Sequence, residues 1–76
     1  MKIVRHPVQD THIAEIGFDP KHKVLEIAYK TGAVFRYYEV PELEYDQLMN
    51  AAVKDLHMTT HMHHKYRYEM LKSSDR

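Results

Sequence analysis

The sequence predicts an α+β fold, a three-stranded antiparallel β-meander with a helix packed on one face and a second short helix towards the C-terminus. Three observations predict it. Apolar and polar residues alternate through THIAEIGF and again on both sides of a Thr-Gly turn, as half-buried strands require. Val40-Pro41-Glu42 then opens a stretch in which Tyr45, Leu48, Met49 and Ala52 recur at helical spacing. Met58, Met62 and Tyr66, four residues apart, suggest the second helical segment, which could run on towards Leu71.

The first strand spans Thr11 to Phe18, with Ala14, Ile16 and Phe18 on one side and Ile13, Glu15 and Gly17 on the other. DPKHK follows as a loop, because Asp and Pro form turns and the basic side chains suit solvent. The next two strands, KVLEIAYK and AVFRYYEV, meet at Lys30, Thr31 and Gly32, and parity fixes the length of their turn. A two-residue turn would pair Ile27 with Arg36 and put an arginine on the apolar face. A three-residue loop with Gly32 in the left-handed position pairs Tyr29 with Ala33, Ile27 with Phe35 and Leu25 with Tyr37. This register gathers Leu25, Ile27, Tyr29, Phe35 and Tyr37 on one face. Glu26, Ala28, Val34, Arg36 and Tyr38 lie opposite, on an outward surface.

The helix is expected over Glu42 to Val53, with proline at its first position and Glu42, Glu44 and Asp46 near the positive end of its dipole. It covers the apolar face that a small sheet would otherwise leave wet. The last residues, KSSDR, have no periodicity and are expected to fray.

At 76 residues the chain makes one domain, 1–76, with an ordered core of about 11–68. A chain of that size buries only about 60% of its unfolded surface, so its apolar residues must go to the core. Cysteine is absent, which excludes disulfides, thiolate zinc sites and a cysteine nucleophile, and fits a cytoplasmic location. No apolar run reaches signal-peptide or membrane-span length, so a soluble protein without membrane contact is expected. Eleven basic residues balance eleven acidic ones, and any nucleic-acid binding must therefore be local. The C-terminal part, with Lys54, Lys65, Arg67 and Lys72, is the more basic.

The glycine turn at Gly32, the aromatics Phe35 and Tyr37, and Val40-Pro41 before a helix resemble the centre of the KTSC domains. That family is named for its occurrence at the C-terminus of some lysyl-tRNA synthetases and is also found as small free-standing bacterial proteins. The resemblance runs from about His12 to Tyr68. Phe35 stands for the first tyrosine of the family's Tyr-x-Tyr element and Tyr37 matches the second, while Ala51, Tyr66 and Tyr68 match later positions. Val53, Asp55, Met58 and Arg67 depart from the family's serine, glycine, aromatic and proline. The resemblance implies the fold given above, and it suggests RNA binding.

Three functional readings follow. In the first, Arg36 and Tyr38 on the outward face, aided by Lys54, Lys65 and Arg67, hold RNA or another single-stranded nucleic acid by stacking beside a cation; the rival view is a pair of solubilising strand residues. In the second, His57, His61 and His64 fall on one side of a helix at spacings of four and three and hold zinc, nickel or copper, against the rival of a solvated histidine face. In the third, an open sheet edge pairs with another protein or gives a homodimer. Catalysis is not expected, since there is no HEXXH, phosphate loop, serine elbow or evident carboxylate pair. No resident cofactor is expected outside the histidine reading.

Overall fold

The structure, a computed structural model, describes residues 2–74. Its single sheet is antiparallel and has five strands, not three: β1 (His6–Pro7), β2 (Ile13–Asp19), β3 (Val24–Tyr29), β4 (Val34–Tyr37) and β5 (Tyr68–Lys72), in that spatial order. Two helices, α1 (Glu42–Met49) and α2 (Lys54–His57), lie between β4 and β5, and α2 runs into a π-helical turn at Met58–Met62.

The central hairpin has the expected register, with Leu25 opposite Tyr37 and Ile27 opposite Phe35. The Tyr29 N–H donates to Ala33 O at 2.8 Å, closing the three-residue loop. Gly32 takes φ 99°, a left-handed value that favours glycine.

Strand β2 departs from simple alternation. Ile13 pairs with Tyr29 but Glu15 pairs with Ala28, so Ala14 is an extra residue, a bulge. The bulge shifts parity, and Ile13 therefore joins Ile16 in the core, where both are buried. Two edge strands complete the sheet. β1 is only a His-Pro pair, too short to show a period. The second helical segment, open to running on towards Leu71, ends before β5, where a register shift leaves Leu71 extra between the Phe35–Met70 and Val34–Lys72 pairs. Strand alternation is broken there, and Met70 carries the four-residue spacing of Met58, Met62 and Tyr66 into the strand, so the sequence imitates a continuing helix.

Ordered structure therefore extends past both ends of the expected 11–68 core, from the buried Ile3 to Lys72, where β5 pairs with β4 although its side chains are exposed. Of the KSSDR tail, Lys72 is in β5, Ser73 and Ser74 are exposed, and Asp75 and Arg76 lie outside the described residues. The outward face is not open along its length. Residues 3–5 cross it at Gly17, where an added Cβ would meet Val4 O at 2.6 Å and Ile3 Cγ2 at 2.8 Å. Glu26, Ala28 and Val34 on that face are buried.

The helix expected to reach Val53 stops at Met49, with Pro41 and Asn50 as its caps. The Asn50 backbone N–H and side-chain Nδ2 both donate to Asp46 O, at 3.1 and 2.9 Å, closing the last turn. Ala52 is exposed instead of covering the sheet. Asp10, distant in sequence, supplies the acceptor at the start of α2: its Oδ1 accepts the Lys54 N–H at 2.7 Å.

Ile13, Ile16, Leu25, Ile27, Tyr37, Val40, Leu48, Met58 and Met62 form one buried cluster between sheet and helices. No helix among the described residues is long and apolar enough to cross a membrane.

Candidate functional site

The outward face of β3, β4 and β5 carries a continuous polar network. Its anchor is Glu26, whose carboxylate is buried between two guanidiniums. Arg5 donates to Oε2, while Arg36 donates to Oε1 from Nη2 at 2.9 Å and from Nε at 3.2 Å. Arg5 also reaches Glu15 at 3.2 Å. The hydrogen bonds to Glu26 lead in raising the Arg36 pKa.

Arg36 also hydrogen-bonds the Tyr38 hydroxyl, which in turn donates to Glu69 on β5. The bond to Glu69 leads in pushing the Tyr38 phenol up from its ordinary pKa. Arg67 completes the group from the approach to β5. Its guanidinium carbon lies 4.3 Å from the Tyr38 ring centroid, and its carbonyl accepts the Tyr38 N–H at 2.9 Å. Arg36, Tyr38 and Arg67 are thus brought together, on the expected face.

Lys54 and Lys65 do not join them. Both belong with the helices: Lys54 Nζ donates to Ala51 O at 3.0 Å, and Lys65 Nζ reaches Glu44 Oε1 at 3.3 Å. The five cationic and aromatic residues expected to form one surface are divided by the sheet.

A second cluster surrounds Glu44, a buried carboxylate in the first turn of α1. Its Oε1 accepts the Tyr66 hydroxyl at 2.8 Å as well as Lys65. Its Oε2 lies 3.5 Å from His57 Nε2, a buried nitrogen with no hydrogen-bond partner. Burial alone would raise the Glu44 pKa, but Tyr66, Lys65 and His57 outweigh it and hold the carboxyl below its ordinary range. Burial first, and then Glu44, push the Tyr66 phenol up to about 12. An open hollow of about 290 Å³ lies beside this cluster, between Val53, Leu56, His57 and His61.

The three histidines expected on one side separate. His57 and His61 have ring centroids 4.8 Å apart, while His64 makes its ring contact with His63 at 5.8 Å. The cause is the π turn, in which the His63 N–H donates to Met58 O at 2.8 Å. Seven residues make two ordinary helical turns, but fall short of two when one is widened. Among the described residues, no three His, Asp or Glu side chains stand ready around one metal position. His63 lies between two phenols, with Tyr37 Oη 3.2 Å from Nδ1 and Tyr68 Oη 3.0 Å from Nε2.

Sequence reasoning assigned Glu44 to the helix dipole and passed over its inward position. Its spacing of four from Leu48 was the available signal, since the two share a helix face.

A family model for the KTSC domain matches residues 9–66. A protein of Tsukamurella paurometabola is 38% identical over 45 residues, covering 59% of this chain and 67% of its own length. An uncharacterized protein of Stutzerimonas stutzeri is 32% identical over 47 residues, covering 62% and 66%. The fold is similar to the crystal structure of a KTSC domain protein from Yersinia pestis, with a TM-score of 0.86 and 27% identity over 93% of this chain and 100% of that one. With the family model spanning most of its length and the same fold in a solved member, this chain belongs to the KTSC domain family.

Proposed function

We propose that this chain is a small non-catalytic binding module that holds single-stranded nucleic acid, RNA foremost, on the surface around Tyr38 and Arg67. The observation that supports it is the Arg67 guanidinium 4.3 Å from the Tyr38 ring centroid, on side chains that solvent reaches. A base can stack on that layer while the cation stays near its phosphate. Arg36 serves as a positioning residue, held by Glu26 and holding the Tyr38 hydroxyl. The zero net charge makes the interaction short in reach. The lack of cysteine suits work in the cytoplasm.

The test is a titration of isotope-labelled protein with a mixed-sequence single-stranded RNA at low salt. Amide shifts should centre on residues 36–38 and 67–69, fade as salt rises, and disappear in Tyr38→Ala. A spectrum left unmoved at low salt would sink the reading.

A second reading, protein interaction, is favoured by β5. Its outer edge meets no further strand among the described residues, and Met70 and Leu71 on it are 55% and 43% exposed. Sedimentation of the chain alone reports self-pairing at that edge, and a purely monomeric profile removes the homodimer.

A further inference from the structure

We propose that Glu44, His57 and His61 form a binding site for one divalent transition-metal ion, zinc foremost, with His64 taking no part. The site lies on the helical layer, away from Tyr38 and Arg67, and stands independently of the nucleic-acid reading.

The argument begins with the Glu44–His57 pair. A separation of 3.5 Å between Oε2 and Nε2 is long for a hydrogen bond between them, and the nitrogen finds no other partner although it is buried. Two donors bound to one tetrahedral zinc, at bonds of about 2.0 to 2.1 Å, stand about 3.4 Å apart. The pair already has that spacing. His61, one turn further on, brings a second imidazole. Two imidazoles on such an ion have centroids about 5 Å apart, and these rings are at 4.8 Å.

The carboxylate is also prepared on its far side. Tyr66 and Lys65 occupy Oε1, which orients the group and leaves Oε2 towards His57. The Lys65 charge opposes a cation there, but that side chain is largely exposed, so solvent and salt screen it. Two imidazoles and one carboxylate suit zinc, nickel or copper better than magnesium or calcium. Glu44 and His57 are preset, whereas the site closes only when the exposed His61 ring turns about its own side-chain bonds, consistent with the lack of a ready three-ligand group. Water in the adjoining hollow completes four-coordination.

The test is calorimetric titration of the full chain with zinc chloride, alongside histidine ring resonances. One ion per chain is expected, with shifts on His57 and His61. His61→Ala should abolish uptake, and because that side chain is exposed the variant keeps its fold. Tyr66→Phe should weaken binding at least tenfold through loss of the oriented carboxylate. His64→Ala should change nothing. No saturable uptake by the parent chain, uptake that survives His61→Ala, or uptake that needs His64 would each overturn the site.

Discussion

Phe18 on β2 and Tyr45 on α1 lie face to face, their ring centroids 4.6 Å apart and their planes within 8° of parallel. The stack fixes the first helix to the sheet at the edge of the buried cluster. Replacing each ring by alanine, singly and together, should show a coupling of about 1 kcal/mol beyond the loss of apolar area. Urea melts of the four proteins provide the cycle, and additive losses would show that the stack contributes nothing of its own.

Tyr37 is both core and hydrogen-bonded. Tyr37→Ala should cost about 3 to 5 kcal/mol, which in a domain this small means loss of most of the folded population. Tyr37→Phe keeps the ring but leaves His63 without the 3.2 Å partner, for about 1 kcal/mol. Thermal melts separate the two, and equal losses would contradict the packing described.

Gly17 allows the N-terminal segment to cross the sheet. Gly17→Ala would drive a Cβ into Val4 O and Ile3 Cγ2, so the segment must shift or lift, at about 1 to 3 kcal/mol. Hydrogen exchange should quicken in residues 3–8 before it changes in β3 and β4. Unchanged protection there would show that the crossing tolerates the methyl group.

Asp10 makes acid stability a local property of α2. Burial raises its pKa, but backbone donors led by Lys54, with His12, Ile13 and Asp55, outweigh it and hold it below the ordinary 3.8. A folded pKa below the unfolded value contributes stability above that value and loses it as pH falls through the folded one. The contribution should therefore be complete above about pH 4 and fade below it. Asp10→Asn should flatten the acid limb of a pH–stability curve, and a curve unaltered in that range would show that the carboxylate is not coupled to folding.

The hairpin could be read because burial demands a register and parity allows only one that spares Arg36 the core. Gly32 agreed with that register. β2 was read one residue out of phase at Ile13, since a bulge is invisible to alternation and is set here by pairing with β3. β5 escaped notice for a related reason: its Leu71 offset breaks the strand period, and Met70 falls four residues after Tyr66, which reads as helix. The break after Met49 was signalled only weakly by Asn50.

At the site, parity placed Arg36 beside Tyr38, and Arg67 arrives there through the β4–β5 pairing that sequence spacing did not indicate. The buried role of Glu26 depends on Arg5, from a segment with no readable period. His64 illustrates the opposite error, in which an ideal helical wheel was assumed over a stretch where the Met58 carbonyl bonds one residue further along than usual.

The strand order has a consequence for synthesis. β4 pairs with β5, which follows it only after both helices, so an emerging polypeptide completes its central hairpin before residue 72 clears the ribosome. During that interval one flank of the hairpin displays unsatisfied amides with aromatic rings beside them. Such a nascent intermediate is adhesive, and the speed with which β5 docks sets how long neighbouring chains can capture it.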